Sequence, residues 1–307
     1  MTARLNPSYT RTTPLVTVII ATYNRHQTLQ FAIQSVLRQE MQDFEIWVIG
    51  DACTDESAAV IASFNDSRVH WKNLTCRCGI QSGPNNEGIK EAKGKYIAYL
   101  GHDDLWFPWH LSSLISCLEE NAADFAFSLC AILSPDKTKS FFMGALPFDI
   151  KNYDNHFTPP SSWLHKKGMT NDIGLWRTDP ENLNVMVDQE IWKRIYRGNK
   201  KMQFSPSLSV IKFPSPYWTS YSLTKHFPQQ FYLSPLVETP RLLQVQLLSE
   251  IAINLSRYRL SRRQGLIKRI KTAIRIWGID LFPFSIFYKR RFQKARRQAF
   301  VLRGLGK

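Results

Sequence analysis

Lys95-Tyr96-Ile97-Ala98-Tyr99-Leu100-Gly101-His102-Asp103-Asp104-Leu105-Trp106-Phe107-Pro108 is the stretch on which the reading of this chain turns. Tyr96 to Leu100 carry no charge and are aromatic or aliphatic, the composition of a strand buried on both faces of an α/β sheet. Two acids follow almost at once, shortly before a proline of the kind favoured in the first turn of a helix. Open α/β sheets bind ligands at the carboxyl ends of their strands. An acidic pair there holds a divalent cation through oxygen, and the cation in turn neutralises phosphate. An Asp before a helix also suits a cap. By itself the stretch leaves both roles open.

Upstream, the pattern alternates strand and helix. Val16 to Ala21 predicts a first strand, and Leu29, Ala32, Ile33, Val36 and Leu37 form the apolar stripe of a helix over Gln27 to Gln39. Phe44 to Ile49 predicts a second strand, Ala58 to Ala62 a second helix, Arg68 to Trp71 a weaker strand, and Asn86 to Lys93 a third helix. Such alternation means a parallel sheet. Downstream, Pro108 to Glu120 reads as helix and Phe125 to Leu133 as strand. Ser134 to Met169 is rich in Pro, Asn, Asp and aromatics and reads as a long functional loop. Helices are expected at Asp188 to Arg197 and Leu242 to Asn254. The expected organisation is a lead-in over 1–13, a main domain over 14–240 with halves 14–104 and 105–240, and a helical, basic tail over 241–307.

Charge is distributed unevenly. The 307 residues hold 40 Lys and Arg against 25 Asp and Glu, a net charge of +15. From Arg257 onward there are 16 Lys and Arg and one acid, Asp280, so the tail alone accounts for the excess. A near-neutral body does not suit a nucleic-acid-binding core. The tail mixes basic and apolar residues at helical spacing from Leu266 to Trp277 and adds Phe282, Phe284, Phe287 and Tyr288, which suits either an anionic membrane surface or a helix packed on the body. No apolar run reaches the roughly 18 residues of a membrane span, and no secretory leader is read at the start. Five cysteines without framework spacing suit a reducing compartment, and Cys76-Arg77-Cys78 lacks the spacing of a metal pair.

Four segments together resemble family 2 inverting glycosyltransferases: Val16 to Arg25, Val48 to Asp55, the turn Asn86 to Gly88, and Gly101 to Pro108. The resemblance covers about Pro14 to Arg197. It implies the Rossmann-like A-type fold of these enzymes, a mostly parallel sheet flanked by helices, here with a basic helical C-terminal extension. It also implies a nucleotide-diphospho-sugar donor, UDP first among them, a glycan or lipid-linked acceptor, and a divalent cation, Mn or Mg. The expected location is the cytoplasm, peripheral on the inner face of the cell membrane, in surface polysaccharide synthesis.

Residue by residue, Thr22-Tyr23-Asn24-Arg25 matches the turn after the first strand, with Ala21 and Tyr23 flanking the base and Asn24 and Arg25 beside them. Asp51 matches the acid that hydrogen-bonds the base, and Gly50 stands where a preceding acid is usual. Asn86 and Gly88 match an Arg-Asn-x-Gly turn in which Asn85 replaces the Arg. Asp103 matches the metal-coordinating acid, His102 falls on its ribose or metal side, and Gly101 stands where the first acid of the cluster is usual. Asp104 is assigned first to local structure. Asp188 is the expected base that deprotonates the acceptor, with Glu190 in reserve; an acid at a helix start is equally favoured by the macrodipole. Trp163 and Trp176 are expected to stack on sugar, and His165 with Lys166 to meet phosphate, unless the two tryptophans are core. The departures at Gly50, Asn85 and Gly101 support an alternative, a catalytically silent nucleotide- or sugar-binding protein of the same fold serving as a membrane assembly partner.

Overall fold

The computed structural model describes residues 13–135, 140–144, 157–179, 183, 185–214 and 227–263, with side chains through 254. The basic segment 264–307 and the side chains of its approach, 255–263, lie outside the described residues, as do the tail features expected from Leu266 to Tyr288.

β1 (Val16–Thr22), β2 (Phe44–Gly50), β3 (Val69–Asn73) and β4 (Tyr96–Tyr99) pair in parallel in the order β3-β2-β1-β4. β1 and β4 are buried almost throughout, because helices on both faces leave no solvent side, which is why they read as unbroken apolar runs. The register sets Thr22 level with Gly50 and Gly50 level with Asn73, so the carboxyl ends of three strands meet along one edge. α1 (His26–Leu37), α2 (Ser57–Ser63) and α3 (Ser82–Glu91) cross between them. α3 approaches β1 closely at Gly88, where a Cβ would come within 2.5 Å of Ile19. It begins four residues before the expected Asn86, continuing through Gly83 and Pro84.

The second half is mixed. β5 (Leu105–Trp106), α4 (His110–Glu120), β6 (Phe125–Ile132), β7 (Phe141–Met143) and β8 (Trp163–Lys166) are followed by α5 (Met169–Ile173), α6 (Val187–Arg197), β9 (Met202–Lys212), α7 (Gln229–Glu238) and α8 (Pro240–Arg263). The sheet continues β4-β8-β6-β9-β5, with β7 on β6; β8 runs antiparallel to both β4 and β6, while β6 and β9 are parallel. The stretch read as a loop from 134 to 169 therefore supplies two strands, one of them inserted mid-sheet. β9 and α7 were also not expected. β9 carries Pro206 and three serines and pairs with β6 across register shifts, so its apolar pattern is weak in sequence. Its buried Ser209 donates to Ser128 Oγ at 2.7 Å and so remains satisfied.

α8 is continuous with the body. Leu243, Leu247 and Ile251 join Leu105, Phe107, Leu208, Phe213 and Leu236 in one core cluster, and Arg241 lies over Trp109 with its guanidinium carbon 3.7 Å from the ring centre. The opposite face of α8 is apolar yet exposed at Leu242, Val245, Leu248 and Ile253. Among the described residues, no helix is long and apolar enough to cross a membrane.

Candidate functional site

The ends of β1 and β2 are held together by Asn24. Its backbone lies in the left-handed region, at φ 48°, which Asn tolerates better than most residues. Its side-chain oxygen accepts the N–H groups of Thr54 at 2.8 Å and Asp55 at 3.3 Å, and its amide donates to Thr54 Oγ1. Asn24 is thus a bracket between two loops. Asp51, at the end of β2, is 5% exposed; its two oxygens accept the backbone N–H groups of Cys78 at 2.6 Å and Gly79 at 2.8 Å. These bonds fold the loop after β3 back over the strand ends and bring Arg77 above the ring of Tyr23. Arg77 carried no sequence signal beyond its place in a polar loop. At Gly50 a Cβ would come within 2.4 Å of the Asn73 side chain and 2.5 Å of the Trp71 indole, so a larger residue there needs these side chains to shift.

After β4 the chain turns sharply, Asp104 N–H donating to the Gly101 carbonyl at 3.0 Å. Asp104 is fully buried and engaged: Oδ2 accepts from Lys212 Nζ at 2.7 Å and Ser161 Oγ at 2.5 Å, and Oδ1 from Phe213 N–H at 3.3 Å. Burial pushes its carboxyl up, against the pull of Lys212. A Cβ on residue 101 would meet Asp104 Oδ2 at 2.7 Å, so glycine is what lets this carboxylate tuck beneath the turn. Asp103 differs from its neighbour. It is 9% exposed, and its carboxylate makes no hydrogen bond among the described residues, while its carbonyl accepts Gln229 Nε2 at 2.8 Å.

His102 Nδ1 lies 3.1 Å from the Ala21 carbonyl, which requires Nδ1 to carry the proton and leaves Nε2 as an acceptor. Burial lowers the His102 pKa, with Asp103 opposing and Arg25 reinforcing the shift, so the ring is neutral. Among the described residues no three His, Cys, Asp or Glu side chains gather as a metal cage. Asp103 and His102 Nε2 form a partial set, which fits a cation of the Mg or Mn kind held chiefly by substrate phosphates.

On α3, Asn85 is 2% exposed and its Nδ2 has no hydrogen-bond partner among the described residues. A buried unpaired N–H suits an incoming ligand oxygen. Asn86 is used internally: its amide oxygen accepts Trp176 N–H at 2.9 Å and its Nδ2 donates to the Trp176 carbonyl at 2.8 Å. The Trp176 indole donates to Tyr99 Oη at 3.2 Å, and Tyr99 Oη lies 3.0 Å from His165 Nε2. Trp163, His165 and Trp176 are each no more than 2% exposed, so these three shape the site from within the core and present no open face. Burial lowers the His165 pKa to about 4.

α6 brings Asp188 and Glu190 into its first turn. They separate in environment. Glu190 is gripped by Arg194, at 3.0 and 2.8 Å, and by Arg177 at 3.3 Å, while Arg194 also donates to the carbonyls of Ile173 and Leu175. It fastens α6 to the segment bearing Trp176. Asp188 accepts the adjacent Gln189 N–H at 2.9 Å.

Residues 17–167 match Glycosyl transferase family 2. This stretch is a family 2 glycosyltransferase domain. The chain is 36% identical over 115 residues to the Escherichia coli UDP-Glc:alpha-D-GlcNAc-diphosphoundecaprenol beta-1,3-glucosyltransferase WfaP, covering 37% of this chain and 45% of that protein. It is 25% identical over 204 residues to a putative teichuronic acid biosynthesis glycosyltransferase, TuaG of Bacillus subtilis, covering 65% and 73%. It thus spans less than half the length of WfaP. The crystal structure of S. aureus TarS 1-349 in complex with UDP shares the fold at a TM-score of 0.55 and 16% identity, over 87% of this chain and 75% of that one. The likeness of fold thus covers more of the chain than residues 17–167.

Proposed function

We propose that this chain transfers one sugar, with inversion, from a UDP-sugar to a hydroxyl of a lipid-linked saccharide or growing surface glycan, at the inner face of a bacterial membrane and with Mn or Mg at Asp103. The observation that carries the reading is the division of the acid pair: Asp104 is consumed by Lys212, Ser161 and Phe213, whereas the Asp103 carboxylate is kept clear of hydrogen bonds among the described residues. The name of WfaP supports UDP-glucose as the first donor to test and a polyprenyl-diphosphate-linked saccharide as acceptor. The TarS complexes with UDP and UDP-GlcNAc support a UDP donor.

A bound divalent cation supplies positive charge against the departing diphosphate. Asp103 and His102 would hold it, and Arg25 adds positive charge on the same side. Tyr23 and Arg77 offer surfaces for the base, and Asn85 Nδ2 a donor for a nucleotide oxygen. Asp188 takes the proton of the acceptor hydroxyl as that oxygen attacks the anomeric carbon from the face opposite the diphosphate. The bond from that carbon to the diphosphate breaks and UDP leaves as an anion, so no proton donor is needed. Glu190 is held out of this step by its two arginines. The exposed apolar face of α8, together with the +15 carried from Arg257 onward, supports peripheral binding to anionic lipid.

The test is UDP release by the purified chain with Mn or Mg, a panel of UDP-sugars beginning with UDP-glucose, and polyprenyl-diphosphate-linked N-acetylglucosamine or a lipid extract. Release that requires both metal and acceptor is expected. Tight UDP binding with no release from any donor would favour the silent assembly partner, for which Gly50, Asn85 and Gly101 are the support.

A further inference from the structure

We propose that Gln229, from α7 and outside the matched family segment, is a positioning residue for the cation-holding turn at Asp103 and offers that corner one hydrogen-bond acceptor. The inference rests on the proposed function, since it concerns the diphosphate end of the donor. Gln229 is 2% exposed, and its Nε2 donates to the Asp103 carbonyl at 2.8 Å. A carbonyl can only accept, so the amide cannot be flipped and the oxygen must face away from it. That oxygen, Oε1, is buried and has no hydrogen-bond partner among the described residues. A buried amide oxygen left unpaired is costly, and such an atom beside a binding turn is explained by a partner that arrives with the ligand.

The surroundings of α7 make the tether stiff. Leu236 is fully buried in the cluster that contains Leu105, Phe107 and Phe213, and Tyr232 packs on the Phe213 ring at 5.4 Å between centroids. Phe213 N–H in turn donates to Asp104. The two acids are therefore pinned by adjoining parts of the C-terminal half, Asp104 through its carboxylate and Asp103 through its backbone. Pinning the backbone leaves the Asp103 carboxylate as the part of the turn that can meet a cation. The partner of Oε1 is an O–H group of the bound complex, either a hydroxyl of the donor sugar or a water on the cation.

Isothermal titration of the full chain with UDP and with UDP-glucose, each with and without Mn, tests this. Gln229→Met keeps the length and removes both hydrogen-bonding atoms; Gln229→Leu is the second variant should the first not fold. Loss of about tenfold in Mn-dependent UDP affinity is expected, the range typical of groups that orient metal ligands, with metal-free UDP binding within about twofold and thermal melting near wild type. Equal loss for both ligands assigns the Oε1 partner to the cation side, and a further loss confined to UDP-glucose assigns it to the sugar. Mn-dependent affinities within twofold of wild type for both ligands in a folded variant overturn the inference. Wild-type protein that binds UDP identically with and without Mn overturns instead the metal reading on which it rests.

Discussion

Arg77 lies over the ring of Tyr23, its guanidinium carbon 3.9 Å from the ring centre. The aromatic face proposed for the nucleotide base is therefore bounded by a cation from the loop that Asp51 holds down through Cys78 and Gly79. Tyr23→Ala should weaken UDP binding by about fivefold or more, as base stacking contributes about 1–3 kcal/mol. Arg77→Ala should weaken it by a smaller factor, about threefold. Titration calorimetry measures both, and an unchanged affinity in Tyr23→Ala would place the base elsewhere.

Asp188 and Glu190 should part in mutation as they part in structure. Asp188→Asn is expected to keep UDP affinity and lose transfer by about 10²–10⁴-fold, the usual contribution of a general base. Glu190→Gln removes the counter-charge of Arg194 and Arg177 and should chiefly lower thermal stability. Single-turnover assays beside melting curves distinguish the two; full transfer by Asp188→Asn would remove it from the base role.

Lys212→Met should be among the most damaging single changes. It leaves the buried Asp104 carboxylate without its counter-charge, a loss of about 3–5 kcal/mol for a broken buried pair. Chemical denaturation reads the loss directly. The double variant Asp104→Asn with Lys212→Met should recover part of it, because no buried charge then remains unpaired.

Stability should fall with acid between about pH 6.5 and 4. Burial lowers the pKa of His165 to about 4 and that of His110 to about 3, both below the ordinary value near 6.5 of an unfolded histidine. In this window the unfolded chain binds protons that the folded chain refuses. Stability from these groups is complete above pH 6.5 and is lost as pH falls toward the folded values, by about 1.4 kcal/mol per pH unit for each histidine. His165→Phe should flatten the slope of unfolding free energy against pH over that range, and an unaltered slope would count against the assignment.

Leu242, Val245 and Ile253, exposed by about half on the outer face of α8, should contribute to membrane binding. Replacing all three by Ser should reduce flotation with vesicles containing anionic lipid while leaving the melting temperature near wild type, since the face that packs on the body holds Leu243, Leu247 and Ile251. Equal flotation of the triple variant would leave the basic segment as the whole anchor.

The parallel strands and their helices were legible because each is local: Val16 to Thr22 and Tyr96 to Tyr99 are buried on both faces, and burial on both faces leaves an unbroken apolar run. β8, β9 and α7 were not. Trp163–Lys166 alternates too briefly to announce a strand and becomes one because β4 and β6 leave an antiparallel slot between them. Gln229 gave no signal because its partner, the Asp103 carbonyl, is 126 residues away and is a backbone atom that no side-chain pattern records. Asn24 and Asn86 are expected at the nucleotide from the resemblance, whereas their amides are spent on Thr54 and Asp55 and on Trp176.

By itself the sequence determined the alternation of strand and helix, the placing of Asp51 and Asp103 at strand ends, and the concentration of positive charge in the last segment, all properties of residues near one another in the chain. The resemblance already set Asp104 aside for local structure and Asp188 ahead of Glu190, but only the tertiary structure decided what fastens Asp104 and Glu190 into the framework. Asp103 and Asp104 are adjacent and chemically identical, and Asp188 and Glu190 are nearly so. Asp104 is fastened because Lys212 reaches it, and Glu190 because Arg177 and Arg194 do. Such pairing follows from packing, which brings together residues that the sequence holds apart.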